Sequence, residues 1–264
     1  MLYYWLGRGR QGLAQYGQAL TWHEKALSIR EKVLGKEHPD TATTYNNIGK
    51  VYYRQGKYDE ALTWHEKALS IRKEVLGEGH PDIAAACNDI GRVYYRQGDY
   101  DKALMRYQEA LSIRKEVLCA EHPSTAITYN NIGRVYHRQG KYDEALKSYQ
   151  KGLVIYRKVL GTKHPSTAIT YNNIGRVCYR QGEYDEALMW YEKALSIREK
   201  VLGKKHPDTA ATYNNIGRVY YRQDDYDEAL AWYEKALSIR EKVLGKKHPG
   251  TATTYNNIAF VYGN

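Results

Sequence analysis

Cysteine is scarce in this chain, with only Cys87, Cys119 and Cys178 among its 264 residues. They fall in three different columns of an internal repeat and replace residues that sister repeats show as Tyr, Gly and Tyr. A disulfide framework or metal site is not laid out that way, so free thiols and a reducing, cytoplasmic setting are expected. No stretch approaches the roughly 18 apolar residues that span a bilayer, so no membrane partner is expected. The opening Met1-Leu2-Tyr3-Tyr4-Trp5-Leu6 is too short for a signal core and has no basic segment before it. No nucleophile, base and orienting acid share a repeat and no phosphate-binding loop occurs, so the sequence gives no sign of an enzyme, a cofactor or a metal. Phenylalanine occurs once, and the aromatic content comes almost entirely from 27 tyrosines, which suit half-buried packing.

Proline is the most informative shortage. All six prolines follow a histidine, in His38-Pro39, His80-Pro81, His122-Pro123, His164-Pro165, His206-Pro207 and His248-Pro249, spaced 42 residues apart without a slip. A strict period in this range marks a solenoid, whose units are too small to bury their own apolar faces and stack on their neighbours. The spacing predicts one elongated domain over 1–264. It would hold a partial unit at 1–38, repeats starting near 39, 81, 123, 165 and 207, and a terminal helix over 250–263. Function should then lie on a repeated surface rather than in a single pocket.

One unit, Pro39 to His80, shows the logic. Pro39-Asp40 starts a helix, because proline pre-sets the first turn and the acid suits the positive end of the dipole. Tyr45, Ile48, Gly49 and Tyr52 recur at helical spacing before Gln55-Gly56-Lys57 supplies a turn. This is helix A. Helix B follows, with Tyr58, Ala61, Leu62, His65, Ala68, Leu69, Arg72, Val75 and Leu76 on one face, and stops at Gly77. Arg72 is the one polar interruption on that face. Nothing in the chain reads as a strand.

The pattern Tyr45-x2-Ile48-Gly49-x2-Tyr52, then Ala61-x3-His65, then Ala68, resembles the tetratricopeptide repeat signature. The column of His65 is aromatic in four sister repeats, as Tyr107, Tyr149, Tyr191 and Tyr233. The usual unit has about 34 residues, and here the proline comes later because helix B is extended by about two turns. With the Asn-Asn pair and the Leu-Gly-x2-His-Pro turn, this is similar to the 42-residue subclass found in kinesin light chains. The resemblance implies an all-α, right-handed solenoid of stacked antiparallel hairpins. Residues 1 to 13 align with a degraded helix A that keeps Gly7 in the Gly49 column, so seven A and six B helices are expected. Gly152 replaces the packing alanine, Cys119 the capping glycine and Asp224 the turn glycine, at roughly 1 kcal/mol or less each.

On a helical wheel, Thr43, Asn46, Asn47, Lys50, Tyr53 and Arg54 cluster opposite the packing positions of helix A. The first asparagine column reads Asn46, Asn88, Asn130, Asn172, Asn214 and Asn256, and the second reads Asn47, Asp89, Asn131, Asn173, Asn215 and Asn257. Two basic columns follow, Lys50, Arg92, Arg134, Arg176 and Arg218, then Arg54, Arg96, Arg138, Arg180 and Arg222. Asp89 is the sole acid on the stripe. The resemblance implies that A helices line a concave groove, where asparagines would bind peptide backbone and arginine forks would engage carboxylates. Tyr53, Tyr95, His137, Tyr179 and Tyr221 would pack an apolar or aromatic side chain. The net charge of +10 agrees with an acidic partner. The expected function is a protein-interaction scaffold for an extended acidic peptide.

Two alternatives remain at this point: binding of single-stranded nucleic acid by arginine and tyrosine, and a structural array that self-associates through uncapped ends. Gly7-Arg8-Gly9-Arg10-Gln11-Gly12 matches a dinucleotide fingerprint by spacing, but no ribose-binding acid follows and the repeat already accounts for Gly7. The histidines of the His-Pro pairs read as turn residues, about 10 Å apart between neighbours and too far to share an ion.

Overall fold

The structure, a computed structural model, describes residues 2–118 and 120–263, and for residues 2–14 it describes the backbone alone. Cys119 and the packing of Gly7 therefore lie outside the described residues. Among the described residues there are twelve α-helices and no strand. The helices are α1 Leu2–Val33, α2 Pro39–Gln55, α3 Tyr58–Leu76, α4 Pro81–Gln97, α5 Tyr100–Val117, α6 Pro123–Arg138, α7 Tyr142–Val159, α8 Pro165–Gln181, α9 Tyr184–Val201, α10 Pro207–Arg222, α11 Tyr226–Val243 and α12 Pro249–Tyr262. Two compact units are present, one of residues 11–155 and one of residues 1–10 and 156–264. In the first, α2 to α6 pack each on the next; in the second, α8 to α12 do the same.

The His-Pro pairs start every A helix by one device. His38 Nδ1 accepts the Asp40 N–H at 3.1 Å, and the same bond recurs from Asp82 to His80, Ser124 to His122, Ser166 to His164, Asp208 to His206 and Gly250 to His248. The imidazole thus takes the capping role usual for Ser, Thr, Asp or Asn, satisfying a backbone donor that the helix cannot. Proline at the first position has no N–H to leave unsatisfied. At the other end Gly56 has φ 78°, and the Gly56 and Lys57 N–H groups return to Tyr53 O and Tyr52 O. That pair of bonds is a Schellman closure, which requires the left-handed residue. Asp224 holds the same left-handed turn without glycine, at φ 62°, and accepts a bond from the Tyr226 hydroxyl at 3.0 Å.

The first unit departs from expectation. In place of a short helix A, a turn and a helix B, α1 runs unbroken over Leu2–Val33, so the A helices number six rather than seven among the described residues. The cause is visible in the turn column, where Leu13-Ala14 stands for Gln55-Gly56. Alanine is the best helix former and disfavours the left-handed turn, so the helix continues. The Gly7–Gly12 segment lies inside this helix, away from any strand-to-helix turn.

Packing within a hairpin rests on a glycine column. A Cβ on Gly91, Gly133 or Gly217 would come 2.8 Å from the ring of Tyr107, Tyr149 or Tyr233, and one on Gly175 would come 2.9 Å from Tyr191. These rings are almost completely buried. Gly152, which stands for the packing alanine, does not leave a hole: its missing Cβ would lie 2.7 Å from Asn130 Nδ2. The asparagine amide, bonded to Ala126 O at 3.0 Å, takes that space.

Between repeats, the arginine that interrupts the apolar face of helix B acts as a staple. Arg198 Nη1 donates to Asp208 O at 2.9 Å and to Thr212 Oγ1 at 2.6 Å, reaching the first turns of the next A helix. Arg30 does the same with Asp40 O and Thr44, Arg114 with Ser124 O and Thr128, and Arg240 with Gly250 O and Thr254. Arg72 keeps only the bond to Asp82 O, at 3.3 Å, because Ala86 replaces the threonine. Burial lowers the pKa of Arg72, Arg198 and Arg240. The carbonyl and hydroxyl acceptors offset the desolvation of the charged guanidinium.

Candidate functional site

Most of the first asparagine column does not open onto a face, although Asn172 is half-buried and Asn256, on α12, is exposed. Asn46, Asn88, Asn130 and Asn214 are buried, between 5% and 8% exposed. A wheel drawn for one helix against one partner misplaces them, because each A helix also meets the next A helix, as in α2 with α4, α4 with α6, α8 with α10 and α10 with α12. The asparagines fill that seam and bond along it. Asn131 Nδ2 donates to Asn88 Oδ1 at 3.0 Å in one unit, and in the other Asn215 donates to Asn172 at 3.1 Å and Asn257 to Asn214 at 3.0 Å. At the Asp89 position the direction reverses, and Asn46 Nδ2 reaches Asp89 Oδ2 at 3.5 Å. Of the second column, Asn47, Asn131, Asn215 and Asn257 are half-buried and Asn173 is buried. These amides form a ladder between repeats, and their hydrogen-bonding capacity is partly spent there.

The two basic columns do reach the surface. Lys50, Arg92, Arg134 and Arg176 are exposed, with Arg218 half-buried, and Arg54, Arg96, Arg138, Arg180 and Arg222 are exposed. The first column stacks backward onto the aromatic column. The guanidinium of Arg92 lies 4.9 Å from the centre of the Tyr53 ring, with Arg134 over Tyr95 and Arg218 over Tyr179 at 4.8 Å. Each of those tyrosines also packs on the first residue of helix B, Tyr53 on Tyr58, Tyr95 on Tyr100 and Tyr179 on Tyr184, with centroids 5.9 to 6.0 Å apart. The rings expected to receive a ligand side chain are therefore largely occupied.

Three arginines of the second basic column are anchored at one atom. Arg96 Nε donates to the Tyr58 hydroxyl at 3.1 Å, Arg138 Nε to Tyr100 at 3.3 Å and Arg222 Nε to Tyr184 at 3.1 Å. Those bonds raise the guanidinium pKa in each case. The Nη groups of these arginines have no partner among the described residues. A neighbouring bond, Gln97 to Asp59 at 2.7 Å and likewise Gln139 to Asp101 and Gln223 to Asp185, holds the same corner. The sequence reading missed these tyrosine and aspartate anchors, although their fixed offset of 38 residues from the arginine and glutamine columns is the signal that could have found them.

Burial sets the state of the other reactive groups. His65, which replaces the buried tyrosine, is held by Asn46, with Nδ1 to Oδ1 at 2.8 Å. Desolvation first, then the nearby Lys50, Arg92 and Arg72, push its pKa down to about 4, against the opposing pull of Asp89. Burial pushes the thiols of Cys87 and Cys178 up to about 12, where a thiolate nucleophile is scarce at neutral pH. No helix among the described residues is long and apolar enough to cross a membrane.

Comparison with known proteins agrees with this architecture. A tetratricopeptide repeat family model matches residues 1–74, 41–116, 124–200, 175–242 and 208–263, and a second tetratricopeptide repeat model matches residues 88–159. No curated protein matches the chain. Among solved structures, BtubC (BKLC) from P. vanneervenii is similar over 91% of this chain and 93% of its own, with TM-score 0.72 and 24% identity. A Podosopora anserina protein described as a kinesin light chain with nearly identical TPR-like repeats aligns over 78% of this chain and 98% of its own, with TM-score 0.67 and 25% identity. MamA aligns over 74% and 95%, with TM-score 0.52 and 22% identity. The hairpins, their caps and the matched models together place the chain in the tetratricopeptide repeat family, whose members generally act as protein-interaction scaffolds, with repeats like those of kinesin light chains.

Proposed function

We propose that this chain is a scaffold whose A-helix faces hold an extended acidic segment of another protein, in a reducing, cytoplasmic setting. The observation that carries the reading is the pair of exposed basic columns along α2, α4 and α6 in one unit and α8 and α10 in the other, with the Nη groups of Arg96, Arg138 and Arg222 unpartnered. An acidic chain laid across the A helices would meet a guanidinium at each repeat. The buried asparagines contribute by fixing the spacing of those helices, and the half-buried Asn47, Asn131, Asn172, Asn215 and Asn257 and the exposed Asn256 are the amides near enough to the surface to meet a peptide backbone. Occupation of Tyr53, Tyr95 and Tyr179 by arginine favours peptide over single-stranded nucleic acid, which needs open ring faces for base stacking.

Replacing Arg134 and Arg176 by Glu tests this. Binding of an acidic peptide should be lost while helicity and melting stay unchanged, and unaltered binding would move the site off the A helices. Self-association is the second reading, favoured by Phe260 and Tyr262 at 63% and 73% exposed on α12. A molecular size that grows with concentration, without any response to peptide, would select it.

A further inference from the structure

Two columns break at one place. Where sister hairpins have Tyr107, Tyr149, Tyr191 and Tyr233, the α2/α3 hairpin has His65, and where the other second-column positions have asparagine, α4 has Asp89. Both residues line an open cavity of about 310 Å³, together with Lys50, Tyr53, Arg54 and Arg92. Asp89 is only 13% exposed and lies 3.5 Å from both Lys50 Nζ and Arg92 Nη1. It draws these two cations toward the cavity and cancels one of three positive charges, which leaves a net of two.

The floor is equally specific. Asn46 points Nδ2 at Asp89 and Oδ1 at His65 Nδ1, so its amide orientation puts the imidazole proton on Nδ1. Nε2 is then the ring atom able to serve a ligand. In the sister hairpins the buried tyrosine feels the charge of two arginines, Arg92 and Arg134 at Tyr107 and Arg176 and Arg218 at Tyr191. His65 brings an imidazole in place of the phenol, within the influence of Lys50 and Arg92.

We propose that this cavity is a site for a phosphate group, free or as a phosphate monoester on a bound chain. Lys50, Arg54 and Arg92 supply donors for separate phosphate oxygens, and where the bound phosphate carries its own proton, as the inorganic dianion does, that P–OH donates to His65 Nε2. A net charge of two matches a phosphate dianion. A carboxylate, by contrast, is met by a single arginine fork anywhere along the basic columns and has no need of the cavity.

The test uses the whole chain, with inorganic phosphate, a phosphoserine peptide and its unphosphorylated counterpart as probes, read by calorimetry and by the NMR signals of the His65 ring. Inorganic phosphate should bind and shift the His65 ring, and Lys50→Ala should weaken it by about tenfold or more. His65→Tyr, which restores the array's own residue, should abolish it with circular dichroism unchanged, while Lys204→Ala, at an exposed loop lysine outside the basic columns, should leave it intact. Tighter binding of the phosphopeptide than of free phosphate assigns the site to a modified chain, and the reverse assigns it to the free anion. Equal binding by His65→Tyr and the parent, or no shift at His65, would overturn the proposal. Since acidic-peptide binding is tested at Arg134 and Arg176, failure of that reading and of this one are seen separately.

Discussion

His65 shows how one residue change within a repeat alters chemistry without altering fold. A buried imidazole with its pKa lowered to about 4 is neutral when folded, whereas the unfolded chain takes up a proton near pH 6.5. The unfolded state therefore binds more protons between those values, and stability falls as pH drops from about 6.5 toward 4. The loss attributable to this group approaches about 3 kcal/mol at the bottom of that window. Denaturant titrations at pH 7 and pH 4.5 should show a smaller pH penalty in His65→Tyr than in the parent. Gly133→Ala makes the opposite point about space. Its new Cβ would meet the Tyr149 ring at 2.8 Å inside a packed hairpin, so a loss of about 1 to 3 kcal/mol is expected in the denaturation midpoint. A variant as stable as the parent would contradict this packing. The glycine and tyrosine columns were both legible in the sequence. The burial of Asn46, Asn88, Asn130 and Asn214 was not, because a helical wheel contains no information about a second neighbouring helix.

At the scale of the element, ends were easier to read than seams. Pro39 and Gly56 bracket α2, and Gly77 stops α3, because proline and glycine act through local backbone geometry that any sequence displays. The missing turn in α1 was equally local, written in Leu13-Ala14, yet alignment to the other repeats masked it. The staples needed structure, since a lone arginine on an apolar face does not announce which carbonyl receives it. Arg198→Ala should cost about 2 kcal/mol or more, by leaving Thr212 and the Asp208 carbonyl without their charged donor. Hydrogen exchange should locate the damage in the first turns of α10. Lysine should restore little of it, because one ammonium on a flexible stem replaces a pre-organised planar fork.

Over the whole molecule, the charge of +10 acquires meaning from where it sits. Exposed arginines recur on the A helices, and the buried ones are taken up by backbone carbonyls and threonines. Binding of an acidic peptide should therefore weaken steeply from 0.1 M to 1 M salt, as the screening length falls from about 10 Å to about 3 Å. Melting should change little over the same range, since the staples are shielded from solvent. Affinity measured by fluorescence anisotropy across that range checks it, and salt-independent binding would point to an apolar contact instead.

The staples have one more consequence, for inheritance. Each arginine finds its acceptors in the following unit at the same offset, Arg198 at Asp208 and Thr212 and Arg240 at Gly250 and Thr254. Excising residues 207–248 from the gene would join His206 to Pro249 and hand Arg198 the carbonyl of Gly250 and the hydroxyl of Thr254. Such a gene can lengthen or shorten by whole multiples of 42 codons through unequal recombination, and every new junction is one the protein already knows how to close.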